Sequence, residues 1–160
     1  MKKECEVCPR NPEMAESRLH INSFLMGSIF TVLTIIWAFN SDKITNTTII
    51  QMVLSIPLVF FASLSYAKVG YNRSHKVWYR FGWLTNNIGY LLFLNATGLM
   101  VATFSSLIIA FVYFGLLIFL SCTYYILNII SQPGTLKEHL SKLIIFLIVI
   151  ILGGILPIII

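Results

Sequence analysis

The chain has 160 residues, of which 58% are hydrophobic and 11% are charged, and its mean hydropathy is +0.86. Soluble domains carry about 25% charged residues, so this composition excludes a water-soluble globular protein. The net charge of +5 does not indicate nucleic-acid binding, because the basic residues lie in short segments beside apolar stretches, where anionic lipid headgroups attract them.

Five stretches of the sequence are long enough to cross a bilayer, which takes about 20 predominantly apolar residues in a helix. They are residues 21–39, 49–69, 81–103, 105–130 and 143–160. We therefore predict an all-α fold, a polytopic membrane bundle of five transmembrane helices over residues 21–160. A polar, amphipathic tail over residues 1–20 precedes it, and the connections are too short for a separate extramembrane domain.

Lysine and arginine occupy every other break between the apolar stretches. They precede the first stretch and lie between the second and third and between the fourth and fifth: Lys2, Lys3, Arg10, Arg18, Lys68, Arg73, Lys76, Arg80, Lys137 and Lys142. Lys43 alone falls elsewhere in the sequence. Cytoplasmic loops retain Lys and Arg while short translocated loops lose them. The pattern predicts a multi-pass protein of the cell membrane with a cytoplasmic N-terminus and an external C-terminus.

The sequence also predicts where the first helix begins and where the chain turns between the third and fourth spans. Pro12 is compatible with the first turn of a helix, so the residues after it are expected to begin a helix that runs into the first span. Residues 81–130 carry no charge, but a single helix of that length would be about 75 Å long, against about 30 Å of hydrocarbon. The chain must therefore turn back, and we place the turn between Gly98 and Ser106, where a hydroxyl is able to cap the returning helix.

The third predicted span carries the candidate functional residues. On a helical wheel its polar side chains fall within one half and apolar ones fill the other. We expect the polar half to be turned away from lipid, because an amide in hydrocarbon without a partner costs several kcal/mol. The candidates for lining a pathway or cavity are Asn87, Tyr90, Asn95 and Thr97, with Asn86 at the margin. The alternative is that they hydrogen-bond neighbouring helices and hold the bundle together.

Faces of small and polar residues also occur on the other spans, and for these we favour helix packing. They are Ser23, Gly27, Thr31 and Thr34 on the first span, Ser55, Ala62, Ser63 and Tyr66 on the second, and Ser121, Tyr124, Tyr125 and Asn128 on the fourth. The fifth span is apolar on every side, and we expect it at the periphery.

The predicted spans contain no Asp, Glu or His. Proton-coupled transporters usually keep such a residue in the membrane, and divalent-cation filters use rings of Asp or Glu. A pore in this protein would therefore select with amides, hydroxyls and backbone carbonyls. Its positive cytoplasmic mouth favours anions or small neutral solutes.

The cytoplasmic segments offer two more candidate sites. Cys5 and Cys8 have the spacing of half a tetrahedral zinc site, and the alternative, which we favour, is a reduced pair of thiols without a ligand. No other cofactor is indicated. The basic loop between the second and third spans is expected to contact anionic groups. Its basic residues are Lys68, Arg73, Lys76 and Arg80.

These features favour a small channel or transporter that forms a homo-oligomer in the lipid bilayer and passes a small ion or solute. One alternative is a noncatalytic subunit of a membrane complex. The other is a membrane enzyme acting on a lipid-linked substrate, with His75 as acid or base. No nucleic-acid partner is expected.

The predicted topology is tested by cysteine accessibility. With Cys5, Cys8 and Cys122 replaced by serine, we expect His75→Cys to react with an impermeant thiol reagent from the cytoplasmic side and Lys43→Cys from the external side. Labelling of both positions from the same side would contradict the five-span topology.

Overall fold

The computed structural model describes residues 12–38, 44–70, 75–131 and 136–159. Nearly all of them are helical, and this part of the chain contains no strand. The predicted all-α fold is confirmed.

Four long helices precede a C-terminal helix that is interrupted near its end. They are α1 (Pro12–Ala38), α2 (Asn46–Gly70), α3 (His75–Phe104) and α4 (Leu107–Ser131). The C-terminal helix consists of α5 (Leu136–Ile150), a π-helical segment (Ile151–Ile155) and a final turn, α6 (Leu156–Ile159). Five stretches of these helices are long and apolar enough to span a membrane: Glu16–Ala38, Asn46–Val69, Val77–Phe104, Leu107–Leu127 and Leu140–Ile159. The predicted number of spans is confirmed for the described chain.

The helices extend beyond the apolar windows predicted from the sequence. The first begins at Pro12, as expected for a proline in a first turn. The third begins at His75 rather than at position 81, and the fifth begins at Leu136 rather than at position 143. Lys, Arg and Glu are good helix formers, so a helix continues through them after the hydrocarbon-length window ends.

The turn between α3 and α4 lies inside the predicted region. Helix α3 ends at Phe104 and α4 begins at Leu107. The Ser106 hydroxyl accepts a hydrogen bond from the N–H of Ile109 at 3.3 Å, and the Ser106 carbonyl accepts one from the N–H of Ala110 at 3.1 Å. Ser106 therefore caps the returning helix, as the sequence predicted.

The chain divides into two compact units. The first unit comprises Met1–Asn40 and Val53–Tyr90, and the second comprises Ser41–Met52 and Leu91–Ile160. Helix α1 belongs to the first unit and α4 to the second.

In the first unit, glycines of α3 allow close contact with α2. A Cβ atom added to Gly89 would lie 2.9 Å from Cγ2 of Val59, and one added to Gly82 would lie 3.0 Å from Cβ of Ser65. Val59 and Ala62 are fully buried. Small residues at a helix interface let the backbones approach, and these two glycines have that role.

The predicted packing faces have different outcomes on the different helices. On α2, Ser55, Ala62 and Tyr66 are buried, which confirms the prediction there. On α4, Ser121 and Tyr125 are buried, whereas Tyr124 is exposed.

On α1 the packing prediction is wrong within the described chain. Gly27 has no atom within 4 Å of an added Cβ, and Ser23, Thr31 and Thr34 are exposed, with hydroxyls that donate to carbonyls of their own helix. The buried face of α1 is aliphatic instead, because large side chains bury more apolar area than small ones. Its residues are Leu25, Ile29, Leu33 and Ile36.

The second unit is organised around Phe114 of α4. This side chain is fully buried and packs with Leu91 and Ile150. A Cβ atom at Gly98 of α3, or at Gly154 of the π-helical segment, would collide with the Phe114 ring. Both glycines are therefore required for the ring to fit. The fifth candidate span has the smallest buried share, 11% of its most apolar window, in agreement with its expected peripheral position.

Two identical substitutions test this packing. We expect Gly98→Ala to lower the free energy of unfolding by about 1–3 kcal/mol, because the new methyl group overpacks the core against Phe114. Gly115→Ala, which meets open space, is expected to leave stability unchanged or raise it by about 0.5–1 kcal/mol. Thermal unfolding in detergent measures both, and equal destabilisation would contradict the packing role of Gly98.

Candidate functional site

Polar side chains of the described helices gather in two places, one in each compact unit. In the second unit, amides from α2 and α3 contact the C-terminal helix. In the first unit, an arginine, two tyrosines and a network around Asn22 lie between the helices of that unit.

In the second unit, two amide side chains donate hydrogen bonds to main-chain carbonyls of the C-terminal helix. Nε2 of Gln51 lies 2.6 Å from the carbonyl oxygen of Gly153, and Nδ2 of Asn95 lies 2.9 Å from that of Val149. Asn95 is completely buried, and Gln51 is 7% exposed. Helices α2 and α3 are thus both joined to the same short stretch of backbone.

The sequence of the C-terminal helix explains why the Gly153 carbonyl needs a donor from another helix. Pro157 lies four residues after Gly153 and has no N–H, so the Gly153 carbonyl lacks the donor that an α-helix would provide. The backbone also leaves the α-helical register over Ile151–Ile155, where Leu156 donates its N–H to the carbonyl of Ile151, five residues back. In an apolar medium a neighbouring side chain must satisfy a freed carbonyl, and Gln51 does so.

The two amides retain one oxygen each without a partner. Oε1 of Gln51 and Oδ1 of Asn95 are buried, and neither has a hydrogen-bond partner among the described residues. If the O and N atoms of either side-chain amide were exchanged, the amide oxygen would face a carbonyl oxygen and no hydrogen bond would form. The hydrogen bonds therefore fix which amide atom is the nitrogen. Each buried acceptor without a partner lowers the stability of the fold by about 1–3 kcal/mol. We call these two oxygens the acceptor pair.

Two glycines provide the space for the acceptor pair. A Cβ atom at Gly153 would lie 2.6 Å from Nδ2 of Asn95 and 3.7 Å from Nε2 of Gln51, so both amides lie beside the same residue. A Cβ atom at Gly154 would lie 3.0 Å from Oδ1 of Asn95. The glycine pair is therefore what lets the amides reach the backbone of the C-terminal helix.

In the first unit, Arg18 of α1 contacts two tyrosines. Its Nη1 donates a hydrogen bond of 2.6 Å to the Tyr66 hydroxyl. Its Cζ lies 4.9 Å from the centre of the Tyr66 ring and 5.7 Å from that of Tyr79. Such cation–π contacts stabilise by about 0.5–1 kcal/mol when exposed and by about 2 when desolvated. Arg18, Tyr66 and Tyr79 form what we call the arginine cluster.

A hydrogen-bond network around Asn22 joins the three helices of the first unit. The Tyr90 hydroxyl of α3 donates to Oδ1 of Asn22 at 3.0 Å, and Nδ2 of Asn22 donates to the Ser63 hydroxyl of α2 at 3.1 Å. Ser63 in turn donates to the carbonyl of Val59 at 2.9 Å. Asn22 is 1% exposed, and both atoms of its amide have partners.

The structure separates the predicted lining residues of α3 into three groups. Tyr90 and Asn95 bond to other helices, each in its own unit. Asn87 and Thr97 donate to carbonyls of their own helix, those of Trp83 and Phe93. Oδ1 of Asn86 is buried and has no partner among the described residues.

Burial on α3 is not confined to its polar half. Ala96 is fully buried and Leu99 is 4% exposed, although both lie on the apolar half of the wheel. Helix α3 is therefore covered on more than one side.

The structure describes only some of the basic residues that are predicted to contact anionic groups. Lys68 places its Nζ 3.8 Å above the Trp78 ring, and Arg80 is exposed. The side chain of Lys76 and all of Arg73 lie outside the described residues, as do Cys5, Cys8 and the side chain of His75. The described residues contain no group of three or more His, Cys, Asp or Glu that is arranged to hold a metal ion.

Sequence reasoning missed Gln51 and Arg18 as site residues. Gln51 is an amide in an otherwise apolar run, which is a signal that the sequence contains. Arg18 lies close to the start of the first span, where a basic residue also fits the topology pattern. The partners of both residues are distant in the chain, so their roles became visible only in the fold.

A matched pair of tyrosines tests the Asn22 network. We expect Tyr90→Phe to lower the free energy of unfolding by about 0.5–1.5 kcal/mol, because it removes the hydrogen bond to Asn22 and nothing else. Tyr124→Phe, at an exposed position, is expected to leave stability unchanged. Thermal unfolding in detergent measures both, and equal values would contradict a stabilising network.

Comparison with known proteins gives no match. No protein-family model matches the chain, no curated protein is significantly similar to it in sequence, and no solved structure is significantly similar to its fold. A function for this protein must therefore be argued from the arrangement of its own residues.

Proposed function

We propose that this protein is a small membrane channel or transporter, acting as a homo-oligomer, with a pathway lined by uncharged polar side chains of α3. The lining residues are Asn86, Asn87, Tyr90, Asn95 and Thr97. The observation that carries the proposal is the acceptor pair of Gln51 and Asn95, two buried oxygens without a donor among the described residues. Nearly all buried polar groups in proteins have partners, and those without one need an explanation such as a function.

The chemistry of the acceptor pair defines the solute. Each amide nitrogen donates a hydrogen bond to a carbonyl, whereas neither amide oxygen has a partner among the described residues. Amide oxygens accept hydrogen bonds and do not donate them, so a solute that binds there carries N–H or O–H groups. The positive charge of the predicted cytoplasmic segments repels cations. Small uncharged molecules with hydrogen-bond donors, such as amides and polyols, fit both conditions.

A solute needs a change in the structure to reach the acceptor pair. Both oxygens are buried, so a solute reaches them only after the helices around them separate. The π-helical segment, with Gly153 and Gly154 inside it and Pro157 after it, is the least regular part of the C-terminal helix. π-Bulges and prolines are where helices bend, and π-bulges occur frequently at functional sites. Movement of this segment would release the two amides.

Liposome flux tests the proposal. Purified protein in liposomes is expected to raise the permeability to urea or glycerol above that of protein-free liposomes in a stopped-flow swelling assay. Asn95→Leu and Gln51→Met, tested separately, are expected to lower that permeability by about threefold to tenfold, because each removes an acceptor and keeps the side-chain size.

Thr123→Val is the matched control, because the Thr123 hydroxyl donates to the Phe119 carbonyl of its own helix and takes no part in the acceptor pair. Its permeability is expected to equal that of the wild type. Absence of flux for both solutes, or wild-type flux in both amide variants, would contradict the proposal.

A second candidate is a noncatalytic subunit of a membrane complex. Asn87 and Thr97 favour it, because each satisfies its donor within its own helix and needs no solute. Purification in a mild detergent distinguishes the two. A companion of different mass in constant ratio supports a subunit, whereas a preparation that contains this chain alone and passes solute supports the channel or transporter.

A further inference from the structure

We propose that the arginine cluster is a binding site for a phosphate group, either on the headgroup of an anionic lipid or as a free phosphate. The site consists of Arg18, Tyr66 and Tyr79 in the first unit. It is separate from the acceptor pair, and its test does not depend on solute transport.

The contacts of Arg18 leave hydrogen-bond donors for a ligand. A guanidinium carries five N–H groups, and the described contact uses one nitrogen, Nη1, in the bond to the Tyr66 hydroxyl at 2.6 Å. The rings of Tyr66 and Tyr79 attract the positive charge. An aromatic ring offers no oxygen lone pair, so it does not replace the acceptors that the other N–H groups require.

The described side chains provide no counter-ion for this arginine. The one acidic side chain described near it in the chain, Glu16, is exposed and lies 3.8 Å from His20, with its Oε1 facing the imidazole Nε2. Arg18 is partly buried, and Tyr66 beneath it is 1% exposed. A partly buried cation in a membrane helix is usually paired and marks a functional site. An external anion would complete the pairing.

The tyrosines hold the guanidinium in place for that anion. Tyr66 and Tyr79 contact each other edge to face, with ring centres 6.5 Å apart. Because Tyr66 is buried and bonds to Nη1, Arg18 loses little freedom when a ligand binds. A fixed, planar guanidinium matches the oxygens of a phosphate through two parallel hydrogen bonds.

The surroundings favour phosphate over a single carboxylate. Arg18 lies near the start of its candidate span, at the end that the charge pattern predicts to be cytoplasmic. Lys68 and Arg80 belong to the same unit, and Lys68 lies against Trp78. Trp and Tyr are enriched at the level of the lipid headgroups, and the cytoplasmic leaflet is rich in anionic lipids. A phosphate is the anion that this environment supplies.

Titration of the purified full-length protein in neutral detergent tests the site. The probes are dioctanoyl phosphatidic acid and, as a reference with the same acyl chains and no phosphate, dioctanoylglycerol. Isothermal titration calorimetry is expected to show tighter binding of phosphatidic acid. Arg18→Gln is expected to weaken that binding by about tenfold or more. Arg18→Lys is expected to weaken it by about fivefold, because an ammonium lacks the planar fork.

Lys43→Gln is the control for net charge, because it removes one positive charge at a position that the charge pattern places on the other side of the membrane. It is expected to bind phosphatidic acid as the wild type does. If Arg18→Gln does not purify as a single species, Arg18→Lys, which keeps the charge, carries the test.

Inorganic phosphate identifies the source of the ligand. Competition by millimolar phosphate would support a site for the free anion, and binding of phosphatidic acid without such competition would support a lipid headgroup. Three results would overturn the proposal. They are equal binding of phosphatidic acid and dioctanoylglycerol, an equal loss in Lys43→Gln and Arg18→Gln, and wild-type binding by Arg18→Lys.

Discussion

The described structure depends on one constraint: a polar group inside an apolar helix bundle lowers the stability of the fold unless it finds a hydrogen-bond partner. The C-terminal helix shows the consequence most clearly. Pro157 removes a backbone donor, and Gln51, which is about a hundred residues away in the chain, supplies a replacement to the Gly153 carbonyl. Asn95 donates a second hydrogen bond to this helix, to the carbonyl of Val149. An irregular helix is thus stabilised by two amides from other helices, and both amides are fixed by the backbone they contact.

The same constraint is met differently in the two units. In the first unit, both the nitrogen and the oxygen of the Asn22 amide have a partner. In the second unit, Gln51 and Asn95 use their nitrogens and leave their oxygens unsatisfied among the described residues. A completed network resists change, whereas an incomplete one favours any conformation or ligand that supplies a donor. This difference is why the functional proposal rests on the second unit.

The sequence was sufficient for the properties that depend on local composition. Apolar length gave the five candidate spans, and the uncharged stretch between α3 and α4 had to turn, which it does at Ser106. The sequence was insufficient where the role of a residue depends on its contact with a residue distant in the chain. Gly27 and Gly98 are indistinguishable as glycines in apolar helices, yet one meets open space and the other meets Phe114. Likewise Asn87 and Asn95 have the same side chain, and only the fold shows that one bonds to its own helix and the other to Val149.

The two clusters also demand opposite chemistry from their surroundings. In the second unit each amide nitrogen has a carbonyl partner and each amide oxygen has none among the described residues, so a molecule that satisfies the oxygens must donate hydrogen bonds. In the arginine cluster a cation with further donors remains, so a molecule that completes it must carry negative charge. No single small ligand satisfies both demands equally well. An anion that occupies the arginine cluster is therefore poorly suited to the acceptor pair, where its oxygens would face amide oxygens. The two proposals therefore call for different ligands, an anionic phosphate for the arginine cluster and an uncharged hydrogen-bond donor for the acceptor pair.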